Sequence, residues 1–225
     1  MQAKLREAGF SYGDEGFRLF VPKFDLSSGE RVALIGPSGS GKTTFLHLLA
    51  GILVPREGLV QVGEKELSRL DDFTRRAFRI SKLGLVFQDF RLIEYLNARE
   101  NMLLPYRLGA ELRLKESVLD RMRILAERLR VSGLLDSPVK RLSQGERQRV
   151  AIGRALLVRP GMILADEPTG NLDPSDKQRI MDLLFDQALE LEATLIVVTH
   201  DHALLDRFDR VVDFDRIGER EVDRV

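Results

Sequence analysis

The sequence predicts an α/β fold built on a mostly parallel sheet and interrupted by an all-helical insertion. Three observations carry this. Late strand-like runs alternate with helix-period segments. The run TLIVVTH (194–200) is continuously apolar up to its end, as suits a parallel strand buried on both faces. Between Gln88 and Ser143 the pattern turns helical, with apolar residues recurring every three to four positions.

In chain order, β-rich runs stand at GFRLFVPKFDL (16–26), RVALIG (31–36), LVQVG (59–63), LGLVFQ (83–88), GMILADE (161–167), TLIVVTH (194–200) and RVVDFD (210–215). TTFLHLLAG, after the second run, reads as a helix, and His47 falls among its apolar residues as a partly buried, satisfied histidine. Within the insertion, ESVLDRMRILAERLRV places Val118, Met122, Leu125 and Leu129 on one stripe, the core side of a helix. Residues 175–191 do the same with Ile180, Leu184, Ala188 and Leu191.

With 225 residues and 44% hydrophobic content, the chain can build one substantial core. No apolar run approaches the roughly 20 residues needed to cross a bilayer. The start, MQAKLREAGFSY, lacks the apolar stretch of a secretion signal, so a cytoplasmic location is expected. The 35 basic residues balance 35 acidic ones, so no global field draws the protein to nucleic acid or to an anionic membrane. A partner must therefore be met by a local patch. The absence of cysteine removes disulfides, thiolate nucleophiles and cysteine metal sites.

The chemistry concentrates in four places. GPSGSGKT (36–43) follows the buried run RVALI and opens a helix, the context a phosphate-binding loop requires. Its glycines let backbone N–H groups turn inward onto phosphates, Lys42 reaches the β and γ phosphates, and Thr43 offers a hydroxyl to Mg²⁺. MILADE (162–167) delivers Asp166 to the carboxyl edge of the sheet as a Mg²⁺ holder, usually through water. Glu167 follows, placed to orient or deprotonate a water attacking the γ-phosphate. His200 ends TLIVVTH at the same edge, where it can meet a γ-phosphate oxygen or that water. With His202, Asp201 and Asp206 it makes a poor metal site, because imidazoles two residues apart on a turn diverge. Fourth, RLSQGERQRVAIGRALLV (141–158) runs a glycine-bearing turn into a helix, a second anion site with Ser143 and Gly145 at its mouth. Ser143 and Glu146 also have the spacing of a capping box, so Glu146 can secure the helix start instead of touching nucleotide.

The ordered set resembles the nucleotide-binding ATPase subunit of ABC transporters over nearly the whole chain. GPSGSGKT resembles that family's first phosphate motif, VFQ its Q-loop, RLSQGERQ its signature, MILADE its second motif, NLD its D-loop and VTH its switch histidine. The resemblance implies a P-loop NTPase core of RecA-like type with an added antiparallel β part. It also implies ATP and Mg²⁺ as ligands and a second ATPase subunit as partner. The nucleotide would be bound by Gly36, Pro37, Ser38, Gly39, Ser40, Gly41, Lys42, Thr43 and Thr44, with Tyr12 (or nearby Phe10) stacked on adenine. Ser143, Gly145 and Asp173 would also contact nucleotide, and Gln88 would touch Mg²⁺ or the attacking water and sense a membrane partner. Lys42, Gln88, Glu167 and His200 would be catalytic, and Thr43, Gln88 and Asp166 would hold the metal. Where the family reads LSGGQ, this chain has Gln144 and Glu146, which bears on the affinity of the signature for its ATP. The expected organisation is a single ATPase domain, with 1–88 and 159–225 as the nucleotide-binding core and 89–158 as the helical signature part.

ADEPTGNLD and LGLVFQDFRLIEYLNARENMLLP are similar to the ATPases of lipoprotein-release, macrolide-export and cell-division systems. That similarity implies a peripheral protein on the inner face of the membrane, docked on an integral permease subunit. Asp89 to Leu96 is the expected docking segment, because Phe90, Leu92, Ile93, Tyr95 and Leu96 crowd it with apolar side chains. A signalling module that controls a membrane complex of the cell-division type would share these motifs. A DNA-maintenance ATPase would need long coiled-coil insertions and a basic footprint, neither of which is present. A small-molecule kinase would explain the phosphate loop but not the signature or Asp173.

Overall fold

The computed structural model describes residues 1–14, 16–170 and 172–217. In chain order the elements are β1 (Ala3–Ser11), β2 (Arg18–Leu26), β3 (Arg31–Ile35), α1 (Lys42–Leu49), β4 (Glu57–Val62), β5 (Lys65–Glu66), α2 (Asp72–Lys82) and β6 (Leu83–Val86). They continue with α3 (Ala98–Leu108), α4 (Glu116–Arg128), α5 (Gln144–Leu157), β7 (Met162–Asp166), α6 (Pro174–Glu190), β8 (Thr194–Val198) and β9 (Arg210–Asp213).

The strands form two sheets. One is antiparallel, in the order β2-β1-β4-β5, and the other is parallel, in the order β6-β7-β8-β3-β9. Every residue of β7 and β8 is buried, which is why both read as unbroken apolar runs. Strand β1 and helix α2 have no counterpart in the runs read above. In β1 the buried Ala3 and Leu5 alternate with Lys4 and Arg6, a short signal that breaks at a bulge between Arg6 and Gly9. Helix α2 buries no residue fully, and its few apolar residues Phe73, Ala77, Phe78 and Ile80 stand among Arg75, Arg76, Arg79 and Lys82.

Two apolar clusters sandwich the parallel sheet. On one side α1 lies between the sheets, where Phe45 packs edge-on against Phe24 and Phe214 at 5.0 and 5.3 Å, with Leu5, Val21 and Val60 from the antiparallel layer. On the other, Val118, Met122, Leu125 and Leu129 are buried as the stripe predicts. Their cluster runs on through Ile152 and Leu156 of α5 to Ile163, Val197 and the α6 stripe at Ile180, Leu184 and Ala188. Helix α5 is therefore shared between the helical segment and the sheet. No helix among the described residues is long and apolar enough to cross a membrane.

Candidate active site

The order β7-β8-β3 and the parallel register decide what meets. Leu34, Val198 and Asp166 stand level with one another, so the chain leaves β3, β8 and β7 at one edge of the sheet. Ligands of open α/β sheets bind outside such an edge. The edge opens into a cleft of about 360 Å³ whose walls include Tyr12, Ser38, Gly39, Gly41, Lys42, Thr43, Thr44, Gln88, Asp166, Glu167 and His200.

The loop from Gly36 to Gly41 turns tightly because three of its glycines take positive φ: 143° at Gly36, 77° at Gly39 and 105° at Gly41. Gly41 is the N-cap of α1 and offers no side-chain cap, so the first N–H groups of the helix face the cleft as anion donors. A Cβ at Gly41 would stand 2.8 Å from Cζ of Phe17 and in a strained backbone region. Gly41→Ala is therefore expected to cost about 1–3 kcal/mol of strain. Thermal melting and an ATP titration should show lower stability and weaker binding together. Lys42 is buried and donates to the carbonyls of Gly36 at 2.8 Å and Pro37 at 2.7 Å, with Ser40 Oγ at 3.4 Å. Burial lowers its pKa, and the acids Glu167, Asp166 and Asp215 oppose that shift.

On the facing side, Thr43 Oγ1 donates to Asp166 Oδ2 at 2.7 Å. A hydroxyl against a carboxylate, with the Gln88 amide also in the cleft, is a hard oxygen set that suits Mg²⁺. Glu167 is left-handed, φ 48°. One of its carboxylate oxygens lies 3.2 Å from His200 Nε2 and the other accepts from Gln88 Nε2 at 3.4 Å. The structure thus gathers Gln88, Glu167 and His200 from the ends of three different strands. The tight turn at Glu167 is held by its N–H on the Val198 carbonyl at 3.1 Å and its own carbonyl on Gly170 N at 3.1 Å.

Tyr12 rather than Phe10 reaches the cleft. Its hydroxyl is 3.4 Å from Thr44 Oγ1, and Phe10 packs edge-on behind it at 4.9 Å. Phe17, which sequence reasoning missed, lines the same wall. Gln148 was missed too: buried in α5, it donates to the Pro168 carbonyl and, at 3.4 Å, to that of Glu167. His47 is half-buried, its ring 6.0 Å from that of Phe87, and burial lowers its pKa.

Ser143, Gly145 and Asp173 do not line this cleft. Ser143 caps α5 in a full capping box: its N–H donates to Glu146 Oε2 at 2.8 Å, while Glu146 N donates to Ser143 Oγ at 3.3 Å. Glu146 thus secures the helix start. Asp173 caps α6, accepting from Asp176 N at 3.0 Å and Ser175 Oγ at 2.9 Å, bonds that lower its pKa. A Cβ on Gly145 would meet Leu172 at 3.2 Å, and Arg149 pairs with Asp176. The signature turn and the start of α6 are one outward-facing patch.

Of the five apolar residues between Asp89 and Leu96, only Tyr95 is openly exposed, at 84%. Leu92 packs against the helical core, and Asn101 clips the Ile93 backbone, accepting from its N–H at 2.7 Å. Adjoining the segment, and lined in part by its Arg91, is a groove of about 210 Å³ between Phe87, Leu104 and the exposed Leu108.

The ABC transporter family model matches residues 20–170. The lipoprotein-releasing system ATP-binding protein LolD of Legionella pneumophila (strain Paris) is 38% identical over 90% of this chain and 89% of its own length. The ABC transporter ATP-binding protein YvcR of Bacillus subtilis is 44% identical over 84% and 73%. The macrolide export ATP-binding/permease protein MacB of Rhodopirellula baltica is 41% identical over 84% of this chain but only 28% of its own. Among solved structures, the ATP-binding cassette MJ0796, a dimer in a post-hydrolysis state bound to ADP and Pi, superposes with a TM-score of 0.87 at 33% identity, covering 97% of both chains.

Proposed function

Since the chain belongs to the ABC transporter ATP-binding family and is an ATPase, we propose that it closes into a dimer on ATP and thereby drives a membrane-embedded permease of the lipoprotein-release or macrolide-export kind. One observation supports the hydrolytic part best: the left-handed Glu167 presents its carboxylate between Gln88 and His200, across the cleft from Lys42.

The roles follow from where charge moves. Gly36 to Gly41 and the start of α1 hold the phosphates by backbone N–H, Lys42 steadies the β and γ oxygens, and Thr43 and Thr44 begin the helix beneath them. Pro37, Ser38 and Ser40 shape that loop, and Tyr12 carries the adenine with Phe17 beside it. Thr43 and Asp166, with Gln88 nearby, would hold Mg²⁺, which would supply positive charge to offset that building on the β and γ phosphates. Glu167 accepts the proton of a water that attacks the γ-phosphorus, the bond to the ADP oxygen breaks, and His200 donates to the departing phosphate. Ser143, Gly145 and Asp173 act on the nucleotide of the second subunit.

The force is proposed to pass to a membrane-embedded permease on whose cytoplasmic face this subunit sits, a reading that the names of the LolD and MacB relatives support. The MacB relative is named as ATP-binding protein and permease in one chain, and this sequence matches 28% of it. The occupant proposed for the groove at Phe87, Leu104 and Leu108, and for the exposed Tyr95 of the expected docking segment, is a cytoplasmic segment of such a permease. Replacing Tyr95 and Leu108 by serine is expected to cut copurification of a membrane subunit from detergent extracts by about tenfold or more. Because both side chains are exposed, melting temperature and ATP affinity should stay put. Undiminished copurification would move the dock elsewhere.

A further inference from the structure

Near its carboxyl end, helix α5 touches the segment that follows β6. The Arg154 guanidinium donates to the carbonyl of Phe90 at 2.7 Å and to that of Arg91 at 2.6 Å. Those two consecutive residues are both left-handed, φ 61° and 45°. Non-glycine residues keep that conformation only where their surroundings over-determine it. Burial pushes the Arg154 pKa down to about 10, and Asp89 is the acid that opposes the shift. The same turn is knotted locally: Arg91 lies over the Phe87 ring at 5.0 Å and donates to Asp89 at 3.2 Å. Gln88, between Phe87 and Asp89, points its amide at Glu167. Phe87, Arg91 and Arg154 also line the apolar groove.

We infer that Arg154 is a positioning residue for hydrolysis: it pins the strained Phe90–Arg91 turn, so fixes Gln88 against Glu167, and an occupant of the groove reaches Glu167 by shifting this arginine. An arginine suits the place because its planar fork serves two successive carbonyls at once, which an ammonium on a flexible stem does less well. A half-buried guanidinium held by carbonyl dipoles is also displaced by a neighbour with better acceptors. The inference rests on the reading of Gln88 and Glu167 given above and adds the part that connects them to the groove.

The test is a double-mutant cycle on the full chain with ATP hydrolysis as readout. Arg154→Met keeps the stem and removes both donors. It is expected to lower kcat about tenfold while KM for ATP stays within about twofold, since the phosphate loop is untouched. Adding Arg154→Met to Gln88→Ala should slow that variant by less than about twofold, because both act through one group. Arg154→Lys should restore roughly half the lost rate and carries the same cycle if the methionine variant fails to fold. A loss that multiplies with that of Gln88→Ala, or a rise confined to KM, overturns the proposal. A slow Gln88→Ala beside a normal Arg154→Met overturns the proposal alone, whereas a Gln88→Ala of normal rate overturns the reading beneath it.

Discussion

Glu167→Gln should bind ATP with near-normal affinity, hydrolyse it about 10²–10⁴ times more slowly, and accumulate as an ATP-bound dimer. The magnitude comes from removing general-base catalysis while leaving the rest of the cleft intact. The geometry allows that separation. An amide at 167 has the size of the carboxylate, its oxygen can still accept from His200 Nε2, and the Gln88 amide can turn to offer its own oxygen to the new N–H₂. The left-handed turn is secured by main-chain bonds to Val198 and Gly170, which the substitution does not touch. Only the basicity that takes the proton of water is lost. Sedimentation with ATP and Mg²⁺ reads the trapped dimer, and a single-turnover assay reads the rate. Turnover near normal with no dimer trapped would place the base on another residue, His200 being the next group in reach.

The site residues divide by how far apart their reasons lie. Lys42, Thr43, Asp166, Glu167 and His200 were legible because each follows a buried strand, and parallel strands must end at one edge. Their meeting in one cleft needed no knowledge of contacts. Gln148 and Arg154 were not legible, although both lie in the signature stretch. What they do depends on carbonyls of Pro168, Phe90 and Arg91, and main-chain acceptors leave no mark on a sequence. Phe17 was passed over because its value lies in shielding Gly41 across the sheet boundary. For the fold, long stripes such as Ile180 to Ala188 declared themselves, whereas β1 hid behind alternating charge and a bulge. Within the expected docking segment the side chains divide: Leu92 is apolar because it packs inward, Tyr95 is exposed, and Arg91 lines the neighbouring groove together with residues before and after the segment.

Lys42→Ala and Ser143→Arg should each be nearly inactive alone and should recover activity when mixed. The expectation starts from a separation within one chain: Lys42 lies in the cleft, whereas Ser143 and Gly145 belong to an outward patch that does not line it. A helix N-terminus that attracts anions but has none of its own chain's phosphates in reach is suited to those of a second chain. The neighbouring solved cassettes are dimers, and a two-fold arrangement sets each phosphate loop opposite the other chain's signature. Lys42→Ala spoils a site from the loop side, and Ser143→Arg spoils one from the signature side. In a mixed dimer, one of the two sites joins the intact loop of the Ser143→Arg chain to the intact signature of the Lys42→Ala chain. Random pairing makes half the dimers mixed, so about a quarter of all sites are whole. A signature acting on its own chain's ATP would leave none whole. Loss of the Ser143 cap costs about 1 kcal/mol of helix stability, so folding of that variant is verified first by melting. Single-turnover hydrolysis and nucleotide occlusion are read beside the steady-state rate, because two sites that must fire together would hide one good site from turnover alone. With subunit exchange demonstrated, a mixture that recovers nothing in any of the three readouts rules out the shared site.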